Sequence, residues 1–182
     1  MTSSVRPRES AQVIELTPSP ADVADLLIQM TRLDWPTTEE DRRHYFAVLG
    51  LHDLDTVPRS DDDPDSAMIR FSTSLSGVDG TCTMFRDEFL GLSLFCYNEF
   101  LDDGPQARAG YAGLRDQLDR HLGPASEEWG TPTEPACLWP SGPLSIDMYC
   151  FQRLRSGIMV GPSHSERSAA SDAAHDARQS DR

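Results

Sequence analysis

The chain of 182 residues carries thirty acidic against sixteen basic side chains, a formal charge of −14, and contains no lysine, so that every one of those sixteen is arginine. Such a chain has no basic stripe with which to displace counterions from phosphates, which argues against nucleic-acid binding; no apolar run reaches membrane-spanning length either. The length predicts one domain plus tails, and the absence of a signal-like apolar segment and of closely spaced cysteines (Cys82, Cys96, Cys137 and Cys150 lie far apart) predicts a reduced, cytoplasmic protein.

Residues 1–17 are polar and read as a flexible N-terminal segment, with a single domain over 18–161. Ser19-Pro20-Ala21-Asp22 is a helix start: a serine cap, a proline in the first turn and a carboxylate that complements the dipole. Val23, Leu26, Leu27 and Met30 share the inner face, and Trp35-Pro36 ends the helix. Thr37-Thr38-Glu39-Glu40 reads as a capping box opening a second helix, with Tyr45, Phe46 and Leu49 inward and Gly50 as its stop. Leu51 to Val57 predicts a short strand, and the aspartates around Pro64 predict a solvated loop.

Ile69, Phe71, Thr73 and Leu75 alternate with polar residues as in a half-buried strand, and Thr81 to Phe85 returns after a glycine-containing turn. The central strand is Phe89 to Tyr97, whose Leu90, Leu92, Leu94 and Cys96 are expected on one face; three strands with short links predict an antiparallel meander. A long helix follows, with Ala107, Tyr111, Leu114, Leu118 and Leu122 in one stripe and Gly123-Pro124 beyond it. Ala125 to Pro135 reads as a loop around Trp129. Leu144, Ile146, Met148 and Cys150 alternate again, and Ile158-Met159-Val160 is expected to close the sheet. Residues 162–182 contain no large apolar side chain and read as a disordered tail. The fold class is therefore α+β: a mainly antiparallel sheet of about five or six strands, an N-terminal helical pair, and one long helix packed on one face. No internal repeat is visible.

Catalytic patterns are thin. Asp61, Asp62, Asp63 and Asp65 supply hard oxygen ligands but lack the glycine and distal glutamate of a calcium loop. His44 and His52, with Asp53 and Asp55, are the candidate metal or acid–base set, although Gly50 separates the two histidines. Cys96 shares the leucine face, where burial keeps a thiol neutral, so its pairing with His121 as nucleophile and base is disfavoured. No nucleophile elbow or phosphate-cradling glycine loop is present. No cofactor is expected. Partner contacts are instead assigned to Trp35, Tyr97, Glu99, Phe100, Asp102, Asp103 and Trp129, aromatic and acidic residues at element edges.

The helix with its Leu33-Asp34-Trp35 end, the Leu49-Gly50 stop, the meander, Leu122-Gly123-Pro124 and the Trp129 loop resemble an uncharacterised family of small bacterial proteins akin to immunity proteins of polymorphic toxin systems. The element order is also similar to the small secretion-chaperone fold. The resemblance implies a non-enzymatic protein that binds and neutralises a partner toxin, and carries no catalytic residues with it. Two other readings stay open: a chaperone for a secreted effector, and a metal-dependent enzyme built on His44, His52 and the aspartates. The state is monomer or homodimer.

Overall fold

Ser19 opens helix α1 (Pro20–Arg32), its hydroxyl accepting from the Asp22 N–H while the Asp22 carboxylate accepts from the Ser19 N–H. Thr38 and Asp41 close a second capping box at α2 (Glu39–Leu49), one residue on from the Thr37–Glu40 pairing expected from sequence; Asp41 accepts from Thr37 as well. Gly50 takes φ 65° at its end. The computed structural model describes residues 14–57, 64–100, 104–152 and 155–180.

Two meanders follow. The first is β1 (His52–Val57), β2 (Ser66–Ser72), β3 (Asp79–Phe85) and β4 (Glu88–Glu99); after α3 (Pro105–Leu122) comes the second, β5 (Glu127–Gly130), β6 (Pro135–Ser141), β7 (Leu144–Gln152) and β8 (Ser156–His164). They join into one antiparallel sheet in the order β1-β2-β3-β4-β8-β7-β6-β5. Helix followed by four-strand meander thus occurs twice, a repeat of topology without a visible repeat of sequence. β8 lies at the centre of the sheet, beside β4, and does not close its edge.

Helices α1 and α3 pack on each other and against the sheet. Their inward residues Val23, Leu27, Met30, Ala107, Leu114 and Leu118 meet Leu92, Leu94, Cys96, Met148, Ile158 and Val160. Tyr45 and Phe46 bring α2 onto the same face, Phe46 against Phe71 at 5.3 Å between ring centres. The leucine face of β4 departs from strict alternation. The register slips between Thr83 and Met84, so Phe89 becomes fully buried while Leu90 is turned partly outward.

The strand and helix counts correct the sequence expectation: among the described residues there are eight strands and four helices, not five or six and three. β5 was hidden because Glu-Glu-Trp-Gly has no buried residue; backbone pairing to β6 holds it. Residues 162–164 belong to β8, and 165–180 form helix α4 (Ser165–Ser180) where a disordered tail was expected. Five alanines favour that helix intrinsically. Arginines dock it: Arg167 donates to the Phe89 carbonyl (2.6 Å) and the Pro36 carbonyl (3.1 Å), and Arg178 to Asp65 (3.0 Å).

Candidate functional site

The register of β5 to β8 and β4 sorts side chains into two sets. Cys137, Met148, Val160 and Leu94 are cross-strand neighbours buried beneath the helices. The intervening positions face the other way. One row there runs Trp129, Ala136, Tyr149, Met159, Phe95; the next runs Glu127, Leu138, Asp147, Gly161. Tyr149, Met159, Phe95 and Leu138 are half-buried, and Trp129 is 41% exposed. The Trp129 and Tyr149 rings meet edge to face across Ala136, 5.6 Å between centres.

Beside this row the sheet holds a cavity of about 230 Å³, with Asp147, Tyr149 and Met159 as walls and Gly91 and Gly161 as part of its floor. Those glycines keep the floor bare: a Cβ on Gly91 would lie 3.0 Å from Ser163 Cβ, and one on Gly161 would run into the Leu92 carbonyl. Burial, and then the Glu127 charge, raise the Asp147 carboxyl above its ordinary range. The Tyr149 hydroxyl is raised too, by burial and then by Asp147 and Asp172.

The residues assigned from sequence do not converge. Trp129 stands on this open face. Tyr97 is buried at 4% exposure, its φ of 54° and the register slip after Cys96 turning it to the helix side; its hydroxyl donates to the Pro18 carbonyl at 3.0 Å. Glu99 is a structural cap, its carboxylate accepting from the N–H groups of Gln106 (2.8 Å) and Ala107 (3.2 Å) at the start of α3, whose own cap Gly104 has no side chain to offer. Phe100 is 79% exposed under the Arg155 guanidinium, 4.6 Å away. Trp35 is half-buried among Tyr45 and Phe89 and donates to the Phe89 carbonyl at 3.2 Å. Asp102 and Asp103 lie outside the described residues.

The histidine set is dispersed. His44 lines a cavity of about 410 Å³ with Leu33, Trp35, Tyr45 and Val48; His52 is not among its walls. Asp53 is bound by the buried Arg42 guanidinium (2.9 Å), which also grips Glu39, and Asp55 is paired with Arg70. Asp65 is paired with Arg86 and Arg178, while Asp61 to Asp63 lie outside the described residues. Among the described residues no group of three His, Cys, Asp or Glu side chains is arranged to hold a metal ion. Cys96 is fully buried with its thiol pushed up to about 12, and His121 sits on the surface 3.9 Å from Asp25.

Phe95, Tyr149, Phe151, Met159 and Asp147 are not among the site residues expected from sequence. The signal was present: the off-core parity of β7 and β8 carries large apolar side chains where a solvated face carries small or charged ones. Comparison with family models, with curated proteins and with solved structures returned no match. No helix among the described residues is long and apolar enough to cross a membrane.

Proposed function

We propose that the protein is a non-enzymatic binding protein of the immunity type, neutralising a basic toxin by covering it with the open face of its sheet. One observation carries this reading: the row of exposed Trp129 and partly buried Tyr149, Met159 and Phe95, bordered by Glu127 and Asp147 in a chain of charge −14. Protein interfaces place aromatic and methionine side chains at their centre and polar groups at their rim, and acidic surfaces speed encounter with basic partners. The product of a neighbouring gene in the source genome is the expected partner. Capture from the source organism with the parent protein and with Trp129→Ala/Met159→Ala tests the reading. The parent returns a basic protein and the double variant loses it, with affinity down at least tenfold by titration. Retention of that partner at parental affinity by the variant refutes the open face as the binding surface.

The same apolar row suits escort of a secreted effector, the second reading. There the captured protein would be held unfolded or partly folded, and would regain full activity on release.

A further inference from the structure

Within the open face, the corner made by β5, β6 and β7 has a definite shape. Glu127 and Trp129 stand two residues apart on β5, and Asp147 and Tyr149 two residues apart on β7, all on the same side, with Ala136 and Leu138 of β6 between them. Strand spacing and rise set the four corners about 10 Å apart across the strands and about 7 Å apart along them. The two rings lean together over Ala136 and close one end. At the other end Glu127 and Asp147 flank Leu138, close enough for the Glu127 charge to act on Asp147. Among the described residues no arginine or histidine pairs with either carboxylate, although Glu128, one residue away on the opposite side of β5, is paired with Arg115.

We propose that this corner is a seat for an arginine side chain of the partner protein, its guanidinium lying over Leu138 between the Glu127 and Asp147 carboxylates and against the Trp129–Tyr149 rings. Resting on the reading of the open face as the binding surface, the proposal adds the chemistry recognised there. Three features favour guanidinium over ammonium. A planar cation can stack on a ring, present N–H groups to two carboxylates at once, and shed its water at lower cost. The charge complementarity is local: two unpaired carboxylates beside an edge-to-face aromatic pair, with no competing cation paired to them among the described residues.

The test titrates full-length protein with an N-acetylated, C-amidated hexa-arginine peptide, and with hexalysine of equal charge, reading backbone amide shifts and affinity. The parent is compared with Glu127→Gln/Asp147→Asn and with Asp25→Asn/Glu40→Gln, which removes the same two charges on α1 and α2. Expected are shifts centred on Trp129, Asp147 and Tyr149, and arginine affinity at least fivefold above lysine. A tenfold or greater loss is expected in the first variant, with less than threefold in the second. Shifts on the open face with no selective loss in the first variant overturn the seat and leave the open-face reading standing. Shifts confined to α1 and α2 overturn both. Equal affinity for hexalysine overturns the guanidinium assignment.

Discussion

An aspartate at an outward-facing position of a strand is ordinarily solvated, yet Asp147 lies half-buried between Leu138 and Gly161 with its carboxyl raised by burial and then by Glu127. The charged group that bears on it is Glu127; Asp147 in turn raises the Tyr149 hydroxyl, as does Asp172 of α4. A carboxyl whose folded value lies above its unfolded one holds its proton more tightly in the native state. It therefore costs nothing below the unfolded value, near pH 4, and destabilises the fold increasingly as pH rises through the folded value. Asp147→Asn keeps the shape and removes that cost, so it should melt higher than the parent at pH 7, the gap closing when the melts are repeated at pH 3.5. A variant that gains stability while losing partner affinity marks a residue kept for binding, since sites that recognise ligands commonly do so at the expense of the fold. An unchanged melting point at pH 7 would mean that Asp147 is solvated in the free protein.

At the scale of elements, α3 meets β4 through a contact that opposes helix propensity. Alanine at an interior helix position is favoured over glycine by about 1 kcal/mol, but a Cβ at Gly110 would lie 2.3 Å from Cδ2 of the Tyr97 ring. That ring cannot retreat freely, because the Tyr97 hydroxyl is tied to Pro18 and the backbone is fixed at positive φ. Overpacking wins: Gly110→Ala should lose about 1–3 kcal/mol in urea unfolding, and a gain would show the ring to be mobile. Helix α4 is held in the opposite manner. Ser171 is its only buried residue, so its docking depends on the arginine contacts and little on apolar burial. Arg167→Ala should release amide protection along 165–180 in hydrogen exchange while leaving β4 and β8 protected. These cases also separate what sequence can and cannot express. The α1 and α3 stripes and the β3–β4 hairpin were legible because apolar spacing and turn chemistry write them locally. β5, α4 and the central place of β8 were not, since pairing partners, arginine clamps and strand order are long-range. Tyr97 and Glu99 misled for the same reason: a backbone twist buries the first, and a helix start several residues later claims the second.

For the whole molecule, the arrangement of charge bears on how the protein associates. A sheet with two free edges invites pairing with further strands, and natural sheets discourage this with charged or short edges. Both edges here fit that device: β1 carries Asp53 and Asp55, each neutralised by its own arginine, and β5 is a four-residue strand beginning with Glu127 and Glu128. With those aspartates paired, as Glu128 is with Arg115, what opposes edge-to-edge meeting of two copies is the charge of −14 on each molecule together with Glu127 at the β5 edge. Light scattering at low salt should therefore give a mass near 20.2 kDa, whereas a secretion-chaperone reading expects twice that. The same charge that keeps copies apart should draw a basic partner in. Raising ionic strength from 0.05 to 0.5 M should slow association about tenfold or more by stopped-flow while changing dissociation far less, because steering acts on encounter and the apolar row acts on residence. A dissociation rate that carried most of the salt effect would move the binding energy from the aromatic row to the carboxylates, and a dimer at low salt would show that the edge charges do not keep copies apart.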